Sequence, residues 1–218
     1  NGAVTVDGSG NVGIGTATPA NLNGYVTLTL DDTSGSFTEY RQAGASKFRV
    51  GSDSSLGGFF NQTTADPIRF LTNSTERMRI DSAGRVTMPY QPAFKAVAQS
   101  TMLSTAQAVL PYGNYGVHYN IGGHFNSSTH TFTAPVAGLY SFSWQFWSPP
   151  SSAGATELNV NGVVSSRHGR EGTETYYEGE TCSNNLYLQA GDTVNIKVFT
   201  GTVHLGLNLS YFSGYLIG

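Results

Sequence analysis

The densest run of groups able to act on a ligand lies between positions 167 and 180, Arg167-His-Gly-Arg-Glu-Gly-Thr-Glu-Thr-Tyr-Tyr-Glu-Gly-Glu180. Glu171, Glu174, Glu178 and Glu180 supply carboxylates of the kind a glycoside hydrolase needs in a pair at a set separation. The same charged, Gly-punctuated composition also describes a solvated loop. Tyr176 and Tyr177 point to a third use, because aromatic faces stack on sugar rings while Arg and Glu side chains hydrogen-bond hydroxyls. Arg167, His168, Arg170, Glu174, Tyr176 and Tyr177 are therefore the candidate ligand-binding residues, and no residue is given a catalytic role.

Other reactive groups are sparse. His118, His124 and His130 are evenly spaced; in a threefold assembly each would form a ring of three imidazoles able to hold a metal or an anion. Ordinary exposed or hydrogen-bonded histidines fit the same spacing, and His204 is a further candidate. Cys182 is the one cysteine, so no intrachain disulfide forms, and with no His beside it in sequence it reads as an unreactive strand residue. No nucleophile elbow, His-Glu-x-x-His run or Walker loop occurs, and Gly13-Ile-Gly15 is a fragment of a phosphate-binding pattern that opens no helix. No cofactor and no required metal are expected.

Lys and Arg are scattered singly and the formal charge is −3, so no basic face exists to neutralise a run of phosphates. Nucleic acid is excluded as a partner. No apolar run reaches the roughly 18 to 20 residues that span a bilayer, and Asn1-Gly-Ala-Val lacks a charged segment followed by an apolar one. The chain is expected to be soluble, without membrane insertion, and a piece of something longer.

The elements that must position these groups are strands. Only 11% of residues are Asp, Glu, Lys or Arg, poor material for amphipathic helices, whereas Gly, Ser, Thr, Asn, Tyr and Phe abound; the composition reads as all-β. Val6-Asp-Gly-Ser-Gly-Asn-Val-Gly-Ile14 and Ile80-Asp-Ser-Ala-Gly-Arg-Val-Thr-Met88 echo one another as hairpins. Asp7 and Asp81 open the turn through their side chains, and Gly10 and Gly84 supply the positive φ. Between the echoes lie short alternating strands, Tyr25–Leu30, Phe37–Arg41, Lys47–Val50 and Ile68–Leu71. With so few large apolar residues, 1–88 is expected to bury its strands against other chains, as a trimeric β stalk or collar.

Met88-Pro-Tyr-Gln-Pro-Ala-Phe94 marks a break, and 89–218 is expected to form a second unit. Its strands are placed at Thr129–Ala134, Leu139–Trp147, Glu157–Val160, Leu186–Leu188, Thr193–Phe199 and Leu207–Ile217. In the second of these, period two puts Tyr140, Phe142, Trp144 and Phe146 on one buried face. Six to eight strands without helices imply a sandwich or jelly roll. Phe125, Phe132, Phe199, Tyr211 and Tyr215 join those aromatics in the core or an interface between protomers, and Trp147 falls on the opposite parity, at the surface or an interface.

Asn120, Phe125, Phe132, Thr133-Ala-Pro-Val-Ala-Gly138-Leu-Tyr-Ser-Phe-Ser-Trp144 and the closing Ser210-Tyr-Phe-Ser-Gly-Tyr-Leu-Ile217 together resemble the complement C1q head signature, over roughly residues 90 to 218. Asn114 stands where that family has its first Phe, and Trp144 where it has Phe or Tyr. The resemblance implies a ten-strand jelly roll shared with tumour necrosis factor ligands, forming a symmetric trimer that presents loops for recognition rather than catalysis. Some members of that family bind calcium through acidic loops, but no dense Asp cluster is present here. Gly10-Asn-Val-Gly-Ile-Gly-Thr-Ala-Thr-Pro19 and Asn73-Ser-Thr-Glu-Arg-Met-Arg-Ile-Asp-Ser-Ala-Gly84 are similar to segments of bacteriophage tail-fibre proteins.

Together the resemblances imply the tip of a homotrimeric tail fibre. It would sit on the virion, joined to the rest of the fibre and tail, and would attach it to a host cell-surface glycan or other receptor. A structural head that registers three chains, in a fibre or a bacterial surface adhesin, is the alternative. A depolymerase is disfavoured by the absence of a long repeat-built β-helix.

Overall fold

The computed structural model describes residues 4–9, 11–14, 16–18, 28–55, 57–98, 101–103, 105–171, 174–205 and 210–218. The expected positive φ at Gly10, the glycine Gly15, the strand positions 25–27 and positions 207–209 lie outside them. Among the described residues every regular element is a strand, and no helix is long and apolar enough to cross a membrane. The chain divides into two compact units, Asn1–Met88 and Pro89–Gly218.

Among its described residues the first unit forms three small three-stranded sheets. They are β1 (Val4–Val6), β2 (Val12–Ile14) and β3 (Leu28–Leu30); β4 (Gly35–Gln42), β5 (Ala45–Asp53) and β6 (Gly57–Gln62); and β7 (Ile68–Thr72), β8 (Thr75–Ile80) and β9 (Val86–Thr87). The two echoed segments are hairpins built as their composition requires. Asp7 Oδ1 accepts from the Ser9 and Asn11 amides, each at 2.9 Å, and Asp81 Oδ1 from those of Ala83 and Arg85 at 2.9 and 3.0 Å. Gly84 supplies the left-handed φ of 81°. Among the described residues of this unit no hydrophobic side chain is buried, whereas Phe37, Tyr40, Phe60, Phe70 and Leu71 are exposed.

The second unit contains β10 (Ala93–Ala98), β11 (Thr101–Leu103), β12 (Gly116–Ile121), β13 (Phe125–Asn126), β14 (Thr131–Thr133), β15 (Gly138–Ser148), β16 (Gly154–Val160), β17 (Val163–Arg170), β18 (Glu178–Leu188), β19 (Thr193–Gly201), β20 (Val203–Leu205) and β21 (Ser210–Leu216). That is more than the six to eight strands expected, because β11, β13 and β20 are too short to show a period and β17 has no apolar residue after Val163 and Val164. One sheet has the order β11-β20-β15-β21-β10-β12 with β18 on the other edge of β15, and the second has the order β13-β14-β19-β16-β17.

A single aromatic core fills the space between these sheets. Tyr140, Phe142, Trp144 and Phe146 are fully buried, as the alternation along β15 predicts. Phe94 stacks on Phe125 and Phe132 at 4.7 and 5.1 Å and meets Phe212 edge-on at 4.9 Å. The polar ends of these rings are satisfied: Trp144 Nε1 donates to Thr156 Oγ1 at 3.0 Å, Tyr112 Oη to the Gln145 carbonyl at 2.8 Å and Tyr140 Oη to the Val136 carbonyl at 2.9 Å. The Asn120 side chain fixes the backbone of Phe125, donating to its carbonyl at 2.8 Å and accepting from its amide at 3.0 Å. Phe199 and Tyr215 lie outside this core, 36% and 54% exposed.

Candidate functional site

The stretch from Arg167 to Glu180 is not one loop. Arg167–Arg170 completes β17 and Glu178–Glu180 begins β18, so only 171–177 connects them, with 172 and 173 outside the described residues. The composition concealed both strands because their pairing is made by the backbone: β17 runs antiparallel to β16 from Val163 to Arg170, and β18 to β15 over its whole length.

Strand alternation then separates the candidate residues. On the outer face of β17, Arg167 Nε donates to Glu157 Oε2 at 3.2 Å, and the guanidinium lies 4.1 Å from the centre of the Phe199 ring. Glu157 is fully buried and also accepts from Gln107 Nε2 at 3.0 Å and Asn159 Nδ2 at 3.3 Å. Burial alone would push its carboxyl up, but the hydrogen bonds from Gln107, Arg167 and Asn159 outweigh it and hold the group below the usual carboxylate range.

His168 faces inward instead, its ring edge-on to Trp144 at 5.1 Å. Arg170 is paired with Glu178 across the two strands. In the connecting segment the Glu174 carbonyl accepts from the Ser151 amide at 2.8 Å, joining it to the 149–153 turn. Tyr176 is 61% exposed, and Tyr177 packs its ring 5.2 Å from that of His204. The structure thus brings Glu174, Tyr176 and Tyr177 into one segment, with Arg170 at its root, while Arg167 and His168 project from opposite faces of β17. His204 is 7% exposed, and burial lowers its pKa. His130 Nδ1 is at hydrogen-bonding distance, 2.9 Å, from the Tyr112 carbonyl oxygen, and His118 is exposed.

One grouping is invisible in the sequence. His168, Glu180 and Cys182 each bring a ligand atom to within 4.8 Å of the other two. Cys182 has no His near it in sequence, but β17 and β18 place one beside it. Its thiol is pushed up to about 12, by burial first and by the Glu180 charge second. No periodicity joins positions 168 and 180; only the crossing of the two strands does.

Two antiparallel sheets around an aromatic core, with loops carrying the exposed aromatic and charged groups, define a jelly-roll head of the kind that binds or trimerises. The C1q domain family matches residues 93–217, and the chain belongs to that family, whose members are non-enzymatic recognition or structural domains. A complement C1q subcomponent of Mus musculus is 30% identical over 136 residues, which is 62% of this chain and 53% of that protein. The chain therefore spans about half the length of that relative. A solved structure described as the globular domain of zebrafish complement 1qA protein superposes with a TM-score of 0.49 at 22% identity, covering 59% of this chain and 98% of the other.

Proposed function

We propose that the chain is the trimeric receptor-binding tip of a phage tail fibre, attaching the virion to a polysaccharide on the bacterial surface. The observation that carries this reading is the first unit. Its described residues bury no hydrophobic side chain yet expose Phe37, Tyr40, Phe60, Phe70 and Leu71, which supports an apolar core built with other copies of itself, as in a fibre stalk. It precedes a C1q domain, and such heads typically assemble as trimers. The outer face of the seven-stranded sheet supports the same assembly, with Tyr119, Leu139, Tyr187 and Tyr215 exposed along neighbouring strands. The 171–177 segment, with Glu174, Tyr176 and Tyr177 and with Arg170 at its root, is the proposed glycan contact, and three equivalent weak sites would act through avidity.

The test is the solution mass of the purified chain together with its binding to bacterial cells and their extracted surface polysaccharides. A trimeric mass with saturable, glycan-competed binding is expected. The ion pairs that already occupy Arg167 and Arg170 favour a second reading, a structural head that registers three chains while another protein reads the host. A trimer that binds no surface would establish that reading, and a monomer would overturn both.

A further inference from the structure

We infer that His168, Glu180 and Cys182 form a binding site for one zinc ion, which clips the free edge of one sheet to the free edge of the other. β17 is the terminal strand of the five-stranded sheet, and among the described residues β18 pairs only with β15. The side of the sandwich where they meet is closed by side chains rather than by a backbone ladder. Along that seam alternation puts Ser166, His168 and the exposed Arg170 on one face of β17, and Glu178, Glu180 and Cys182 on one face of β18.

The first rung is complete: Arg170 neutralises Glu178. The next one lacks a cation. Glu180 Oε2 is buried without a hydrogen-bond partner, and so is the Ser166 hydroxyl, two residues before His168 on the same strand face. A buried carboxylate oxygen with no donor is costly, and a bound cation would remove that cost. Cys182, 3% exposed and in no disulfide, completes the set.

The donor chemistry selects the metal. One imidazole nitrogen, one thiolate and one carboxylate suit a borderline first-row ion, whereas calcium and magnesium take oxygen ligands. Bonds of about 2.0–2.3 Å in a tetrahedron set the donor atoms about 3.3–3.7 Å apart, so the present separations, up to 4.8 Å, close by rotation of the side chains. The imidazole plane is held by the edge-on contact with Trp144, whose own Nε1 is tied to Thr156. A water in the fourth position would serve the Ser166 hydroxyl. On binding, the thiol proton passes to solvent and the sulfur binds the metal as thiolate.

The 218-residue chain, stripped with chelator and kept reduced, is titrated with Zn2+ and separately with Co2+. One ion per chain is expected, with a thiolate-to-cobalt charge-transfer band and tetrahedral ligand-field bands, and with a raised thermal midpoint for the zinc form. His168→Gln and Cys182→Ala should each abolish the charge-transfer band and weaken zinc binding at least 100-fold. Circular dichroism and solution mass establish that the variants are folded, and the unaltered chain gives the decisive spectrum should either of them fail to fold. Co2+ bound without the thiolate band, or a band that persists in folded His168→Gln, overturns the site. The site does not depend on the receptor reading, since a fibre tip without zinc and a zinc-binding head without a receptor would each be seen separately.

Discussion

Glu157 is the clearest case of a single group fixed by its partners. Its carboxylate is out of water and held by Gln107, Arg167 and Asn159, so removing a donor strands charge in a dry site. Arg167→Ala is expected to lower unfolding stability by about 1–3 kcal/mol, read as a drop in denaturation midpoint. A midpoint equal to that of the unaltered chain would show that Gln107 and Asn159 suffice. The exposed Tyr176 should behave in the opposite way. Tyr176→Ala is expected to leave the midpoint unchanged and to weaken glycan binding about 10-fold, the loss of one stacking contact. Unaltered adsorption would move the contact elsewhere.

His204 ties the same scale to pH. Burial lowers its pKa, so the neutral ring is favoured in the fold, packed against Tyr177 and paired through its strand with Trp147. The unfolded chain then binds the extra proton first. The stability this contributes is present above the unfolded value of about 6.5 and is lost as pH falls through the lower folded value. Denaturation midpoints measured from pH 7.5 to 5 should fall more steeply for the unaltered chain than for His204→Gln. Parallel curves would assign the loss to other groups.

At the scale of elements, β21 shows how closely the strands approach. A Cβ on Gly214 would lie 2.6 Å from the Phe142 ring and 2.8 Å from that of Phe94, both fully buried. Gly214→Ala should cost about 1–3 kcal/mol through overpacking, seen as a lower midpoint with solution mass unchanged. Strands of this kind were legible in the sequence because period two is loud when one face is aromatic, as in β15. β10 was silent for the opposite reason: its buried positions are Phe94, Ala96 and Ala98, with Val97 between them, and alanine carries no periodic signal. β17 was silent because Ser166 and His168 hold its half-buried positions, where apolar residues are expected. The reactive composition of 167–180 was visible, but its division into two strands was not. Nor was the meeting of His168 with Glu180 and Cys182, which depends on the crossing of two sheet edges.

For the whole molecule, the contrast between the units sets the last expectation. Among the described residues, 89–218 contain the entire buried apolar core, including Trp144 and the rings around Phe94, whereas 1–88 contain none of it. If three copies supply one another's core in the first unit, its stability is a function of protein concentration, while that of the second is mostly its own. Hydrogen exchange on the full chain should therefore show protection over β4–β9 that falls as the protein is diluted through the dissociation range of the trimer. Protection over β15 should persist there, because that strand is hydrogen-bonded along both edges and packed on the aromatic core. Unpaired sheet edges and exposed Phe and Leu left by dissociation would also make the diluted first unit the first to be cleaved by protease. Concentration-independent protection over β4–β9 in a monomeric chain would mean that three small sheets hold themselves together without a core, and the stalk reading would fail with it.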